Sequence, residues 1–231
     1  MELSNFKIRQ LVFEVRYDDA FLLWDCAGRT NAELAKIWPG TRLDEASPNQ
    51  QSIKSDKLSI VTGINSSRVV LICPTTIVQY SDQLAETIKL WIEFLGISEF
   101  TRIGTRVIYD REYDSEESVN SAIIDLGLVN YPAAPFFNHK EKPFASDIRL
   151  LWKDEVSQTQ ILIKAERHQL EIGGLPSNPL QKEVRISDHL LVDVDRSTHG
   201  LVEVAKFRVS EWMNGVRHLI ARDLPKLLKA S

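Results

Sequence analysis

Two carboxylates near the C-terminal end have the spacing that comes closest to a metal site. Asp193 and Asp195 alternate along a predicted strand, and His199 follows shortly after. Residues two apart on a strand lie on the same face, so both carboxylates could face one cation such as Mg²⁺ or Ca²⁺. A metal held there would indicate a metal-dependent enzyme acting on nucleic acid. The alternative is structural, because Asp-x-Asp is common and such acids often cap turns or pair with arginine.

A second candidate surface lies on the strand predicted over residues 105–111. Phosphate contacts by arginine, combined with stacking on aromatic rings, can bind single-stranded nucleic acid. Four residues here have suitable side chains, namely Arg102, Arg106, Tyr109 and Arg111, and Phe136, Phe137, Lys140 and Lys142 further along the chain could join them. Asp110 and Glu112 lie among them and would weaken the positive field. A salt-bridged strand face without a ligand is therefore the alternative.

The sequence contains none of the short motifs that identify common enzymes. It has no G-x-S-x-G nucleophile turn and neither of the glycine-rich phosphate-binding patterns. No catalytic residue and no cofactor are therefore predicted.

Composition narrows the class of protein further. The chain has 231 residues and a formal net charge of −4. Non-specific nucleic-acid binders usually carry a basic surplus, so a nucleic-acid partner is not favoured. Two cysteines, outside any C-x-x-C pair, suit a reducing compartment. With no signal peptide and no long apolar run in the sequence, we expect a cytoplasmic protein without a membrane partner.

The predicted elements that would position these residues repeat along the chain. A strand at Val69–Leu71 precedes a helix whose apolar stripe is Tyr80, Leu84, Ile88, Trp91 and Leu95. An offset of 121 residues leads to a second apolar set: Leu190, Leu191, Val192, Leu201, Ala205, Val209, Trp212 and Val216. The constant offset predicts two pseudo-repeated halves, with residues 69–95 superposing on 190–216.

The predicted fold class is α+β. Each half is expected to be an antiparallel sheet covered by one long amphipathic helix, and the β-α-β-β-α-β order of the first half is ferredoxin-like. An N-terminal half over residues 1–128 and a C-terminal half over 146–231 flank a junction at 129–145, unless the whole is one continuous domain. Residues 41–57, which are rich in polar side chains, are predicted to be a loop.

Several of these motifs resemble a known family. They are the opening strand from Leu11 to Arg16, the central Arg102-Ile-Gly-Thr-Arg106 segment and the late Asp193-Val-Asp195 strand before the Trp212 helix. This order resembles a sporadically distributed, functionally uncharacterised prokaryotic family with an R-x-G-x-R-Y-like central strand and a D-x-D-like late strand. The resemblance extends from about Leu11 to Leu228. It implies no reaction, but such patchy distribution is similar to that of mobile defence or toxin–antitoxin modules.

The sequence therefore predicts a non-catalytic binding or regulatory protein, an accessory of a bacterial defence or toxin-related system. A protein partner is expected, and a homo-oligomer remains open. The alternatives are the metal-dependent enzyme centred on Asp193 and Asp195 and a single-strand nucleic-acid binder that uses the Arg102–Arg111 strand.

Overall fold

A large antiparallel sheet is the centre of the molecule. The computed structural model describes residues 2–128, 147–172 and 183–229. The strands are β1 (Lys7–Arg16), β2 (Arg42–Ser47), β3 (Gln50–Ser55), β4 (Leu58–Gly63), β5 (Ser66–Ile72), β6 (Glu99–Phe100), β7 (Arg102–Tyr113), β8 (Ile148–Lys153), β9 (Ser157–Ile172), β10 (Glu183–Thr198) and β11 (Val202–Glu203). Nine of them form one sheet in the order β2-β3-β4-β5-β1-β7-β10-β9-β8, while β6 and β11 pair separately.

Four helices complete the described fold: α1 (Leu23–Ile37), α2 (Ser81–Leu95), α3 (Glu116–Ile124) and α4 (Val209–Leu227). The end of α2 has a simple cause, since Gly96 adopts a left-handed conformation with φ 67°. At the start of α3, the Ser115 hydroxyl accepts a hydrogen bond from the Ser118 backbone N–H at 3.2 Å. The α+β class predicted from the sequence is confirmed.

The helices pack on one face of the sheet and bury its apolar side chains. On β1, the alternation of apolar and polar residues places Leu11, Phe13 and Val15 in the core. Trp91 on α2 is fully buried, and its indole N–H donates to the Thr62 hydroxyl at 2.9 Å. The core is therefore a layer between the helices and one face of the sheet.

The sheet crosses the boundary between the two predicted halves. β1 pairs antiparallel with β7, and β7 pairs with β10 from Tyr113↔Asp188 to Gly104↔Ser197. Hydrogen-bonded strands thus link residues 1–128 directly to residues 146–231. The predicted junction at residues 129–145 lies outside the described residues.

One detail of the predicted elements is wrong. The segment predicted as a loop contains β2 and β3, which extend one edge of the sheet through pairing with β4. β2 is the edge strand and its side chains are almost all exposed, whereas β3 lies between β2 and β4 and buries Ser52 and Ile53. α4 begins at Val209, as its apolar spacing predicts, and Leu201 and Ala205 of the offset set precede the helix. No helix among the described residues has the length and apolar character to cross a bilayer.

Candidate functional site

The opposite side of the sheet has none of the four described helices packed on it, and we call it the open face. Directly paired residues in antiparallel strands point to the same side, so the registers of β1, β5, β7 and β10 define its positions. In the centre of this face, Arg106 pairs with Val12 on one side and Asp195 on the other. Positions two residues away along each strand also belong to it.

Arg102 lies flat along the centre of the open face, above Gly104. A Cβ at Gly104 would stand 2.8 Å from the Arg102 Nη1 atom and 3.0 Å from its Cζ. From this position, Nη1 donates to Glu14 at 2.8 Å, and Nη2 lies 3.3 Å from an Asp195 oxygen. The glycine therefore provides the space in which one guanidinium bridges carboxylates of β1 and β10.

Arg106 makes the best-formed ion pair on this face. Its Nε atom donates to Asp193 Oδ1 at 2.9 Å, and its Nη2 donates to Oδ2 at 2.5 Å. This two-pronged geometry matches the planar fork of arginine to the carboxylate. The hydrogen bond with Asp193 raises the pKa of Arg106 above its usual range. The Asp193 carboxylate is thus held by arginine.

The Asp195 carboxyl group is held less tightly. Burial raises its pKa above the ordinary aspartate value of 3.8, and the neighbouring Arg102 charge opposes that shift. Burial prevails because the contacts to Arg102 are long, at 3.3 and 3.4 Å.

These side chains surround a trough of about 430 Å³ in the open face. Its charged lining consists of Arg16, Arg68, Arg102, Arg106, Glu14 and Asp195. Val12 and Val70, a directly paired couple on β1 and β5, contribute apolar surface to it. The trough therefore combines four guanidinium groups with a partly apolar floor.

Two of the arginines on this face are more exposed than the carboxylates that hold them, whereas the Arg102 side chain, at 22%, is less exposed than that of Asp195, at 33%. The Arg106 side chain is 49% exposed against 8% for Asp193, and Arg16 is 55% exposed against 20% for Glu14. Arg68 is exposed and has no hydrogen bond or ion pair with any described residue. Asp193 and Glu14 thus anchor arginines that are more exposed than themselves, and Arg16, Arg68 and Arg106 are the exposed guanidinium groups of the trough.

The structure divides the predicted ligand-binding residues between the two faces of the sheet. Arg102 and Arg106 lie on the open face. Tyr109 and Arg111 occupy alternate positions on the helix-covered face, where Tyr109 is buried and burial raises its pKa to about 12. The Arg111 guanidinium lies 4.6 Å from the centre of the Tyr113 ring. The four residues therefore do not form one surface.

The predicted metal ligands share an end of β10. Asp193 and Asp195 lie on the open face, where each carboxylate is in contact with an arginine. His199 follows the strand, and its backbone N–H donates to the Val156 carbonyl at 2.8 Å. Its Nε2 atom is buried without a hydrogen-bond partner. Among the described residues, no group of three or more acids, histidines or cysteines is arranged to hold a metal ion.

A second polar cluster on the open face was missed in the sequence. His189 Nδ1 lies 2.7 Å from Asp110 Oδ1, and His189 Nε2 lies 2.9 Å from the Ser187 hydroxyl. The order Ser-His-Asp is that of a nucleophilic triad. However, Ser187 lies within the sixteen-residue strand β10 instead of on the exposed turn that presents a nucleophile. The spacing Ser187-x-His189 is the one signal in the sequence, because Asp110 joins them only through strand pairing.

A third feature is an apolar cavity of about 630 Å³ on the helix-covered side. It lies between α4 and the strands β8, β9 and β10, where Trp152, Ile161, Leu219 and Leu227 are among its lining residues. The cavity is separate from the arginine trough, which opens on the other side of the sheet.

Neither profiles of known protein families nor a search of curated proteins gives a match to this chain. The resemblance to the uncharacterised prokaryotic family therefore remains a prediction from the sequence.

Proposed function

We propose that this chain is a non-catalytic binding protein whose binding surface is the open face of the sheet. The observation that supports it is the charge of the trough, where the exposed guanidinium groups of Arg16 and Arg106 are held by the less exposed carboxylates of Glu14 and Asp193. An arginine already held in place loses less side-chain entropy on binding than a free one. The trough is therefore suited to hold an anionic ligand.

The hydrogen bonds between Arg106 and Asp193 also argue against a metal-dependent enzyme. A metal at Asp193 would have to displace the two-pronged hydrogen bonds from Arg106. A carboxylate whose oxygens already accept hydrogen bonds from arginine is not free to ligate a cation. In this proposal, Asp193 therefore positions Arg106 and does not bind a metal. An accessory role in a bacterial defence or toxin-related system is the context that the family resemblance suggests.

The test uses a panel of labelled anionic probes: duplex DNA, duplex RNA, single-stranded oligothymidine and a polyglutamate peptide. Fluorescence anisotropy would measure binding to the parent and to the Arg16→Gln, Arg68→Gln double variant, and gel analysis would show whether each probe stays intact. We expect at least one probe to bind the parent more tightly than the variant and to be recovered unchanged. Absence of binding to every probe, or cleavage of a bound probe, would contradict the proposal.

We also propose that the two halves are pseudo-repeats and that the first is ferredoxin-like. In support, β5 lies between β1 and β4, and β10 lies between β7 and β9 in the same sheet. Each of these strands leads towards a long helix, α2 or α4. The run β4-β5-β1-β7, with α1 and α2 packed on it, supports the ferredoxin-like order, with β2 and β3 added at the edge.

A further inference from the structure

We infer that the ligand of the open face is the sugar-phosphate backbone of double-stranded nucleic acid, bound without regard to base sequence. This inference rests on the proposed function, since it names the ligand of the same surface.

The open face is cationic although the chain as a whole is acidic. Beyond the trough, open-face positions hold Arg149 and Lys153 on β8, together with Lys54 on β3 and Lys164 on β9, which are in ion pairs with Asp44 and Glu166. At such positions in the described strands, cationic side chains outnumber acidic ones, whereas the whole chain has a net charge of −4. The net charge of the whole chain therefore does not describe the open face, where positive side chains are in excess. A face with such an excess attracts a polyanion.

The residue types on this face favour backbone contacts over contacts with bases. No Phe, Tyr or Trp occupies an open-face position in the described strands, and Tyr109 and Tyr113 of β7 lie on the helix-covered side. Single strands are held largely by stacking on aromatic rings, which contributes about 1–3 kcal/mol per base. A surface without such rings lacks this source of affinity. What remains is pairing of guanidinium and ammonium groups with phosphate.

The extent of the cationic surface also favours a duplex. Nine strands spaced by about 4.8 Å make a sheet about 40 Å wide, and its positive side chains are spread from β3 to β8. A duplex presents one phosphate charge per about 1.7 Å of its axis, twice the density of one strand. A duplex can therefore meet several of these cations at once.

The experiment measures affinity for a labelled duplex of about 20 base pairs, as DNA and as RNA, between about 50 and 200 mM salt. Oligothymidine and polyglutamate are the competing probes. For the parent, we expect a steep loss of affinity with salt and weaker binding of both competing probes. The Arg16→Gln, Arg68→Gln double variant should lose affinity by about tenfold or more at low salt. For this variant, the plot of log affinity against log salt concentration should be less steep than for the parent, by about one unit of slope for each arginine removed.

The matched control is the Lys36→Gln, Lys226→Gln double variant, which removes the same charge from exposed side chains of α1 and α4. Its affinity should stay within about twofold of the parent.

An equal loss of duplex affinity in both double variants would overturn the inference, as would tighter binding of oligothymidine than of the duplex. Binding of polyglutamate alone would overturn the inference and leave the proposed function intact. Absence of binding to any probe would overturn both. Comparing the affinities for the DNA and RNA duplexes shows which of the two backbones the open face binds.

Discussion

The Arg102 guanidinium lies over Gly104, so close that a Cβ at Gly104 would stand 2.8 Å from its Nη1 atom. This relationship explains the Arg-x-Gly-x-Arg pattern physically. The Arg102 side chain lies along its own strand over Gly104, which has no Cβ to exclude it. Arg106, two residues further on, contacts a different carboxylate, that of Asp193. The motif thus places two guanidiniums side by side on one strand of the open face.

We predict that Gly104→Ala displaces the head of Arg102 without unfolding the protein. The atoms that meet the new Cβ belong to the end of a flexible side chain, which can move aside. The free energy of unfolding should change by less than about 1 kcal/mol, because the contact of Arg102 with Asp195 is long and partly exposed. A double-mutant cycle of Arg102→Gln and Asp195→Asn should show coupling in the parent and none in the Gly104→Ala background. Coupling of equal size in both would show that the glycine does not position Arg102.

Removal of Arg106 should be more harmful than removal of both members of its ion pair. Arg106→Gln leaves the buried Asp193 carboxylate without its main partner, and the free energy of unfolding should fall by about 1–3 kcal/mol. Adding Asp193→Asn should recover part of that loss, since an amide carries no charge to desolvate. Urea denaturation of the parent, both single variants and the double variant measures this. A double variant less stable than Arg106→Gln would contradict the assignment of Asp193 as an anchored acid.

The two aligned tryptophans should differ in their contribution to stability. Trp91 is fully buried, and Trp91→Ala should cost about 3–5 kcal/mol. Trp212 is only partly buried, with its indole N–H donating to the Thr105 hydroxyl at 2.9 Å, so its truncation should cost less than about 3 kcal/mol. Trp24, which is exposed, provides the control, and Trp24→Ala should change stability by less than about 0.5 kcal/mol. Equal melting temperatures for Trp91→Ala and the parent would contradict the described core.

Asp195 should make stability depend on pH in the acid range. Its pKa is higher in the folded protein than in the unfolded chain, so the folded state binds more protons between the two values. The contribution of Asp195 to stability therefore decreases as pH rises from 3.8 through the raised pKa, and it is constant above that. The difference in unfolding free energy between the parent and Asp195→Asn, measured over this range, should shift in favour of Asn as pH rises. A shift in the opposite direction would mean that the charge of Arg102 outweighs burial.

The Asp193 and Asp195 pair should not bind a divalent cation tightly. Arg106 and Arg102 already satisfy these carboxylates, so Mg²⁺, Mn²⁺ or Ca²⁺ would have to break their hydrogen bonds. Calorimetric titration of chelator-treated protein should show no binding in the micromolar range. Micromolar binding that disappears in the Asp193→Asn, Asp195→Asn variant would instead support the metal-dependent enzyme.

Local patterns in the sequence were sufficient to predict the fold class and several elements. The alternation from Leu11 to Val15 predicts β1, because a strand with one buried face must alternate. Apolar residues recur every three or four positions from Met213 to Leu224, and this spacing predicts α4 because it places them on one face of a helix. These signals are local, since each side chain only has to be apolar where its own element meets the core. The edge strand β2 lacks the signal because its side chains are almost all exposed, and β3 lacks it because Ile53 is its one buried apolar residue.

The candidate site depended on tertiary structure. The sequence shows Arg102, Arg106, Asp193 and Asp195 as two separate short motifs, and its net charge argues against an anionic ligand. Only the pairing of β7 with β10 brings the acids against the arginines, and the strand register, with the four described helices on the other side, places these residues together on the open face. Composition averages over both faces, and spacing along the chain says nothing about which distant strand becomes a neighbour. The sequence by itself thus determined those elements whose side chains face the core, whereas strand order decided which polar residues meet.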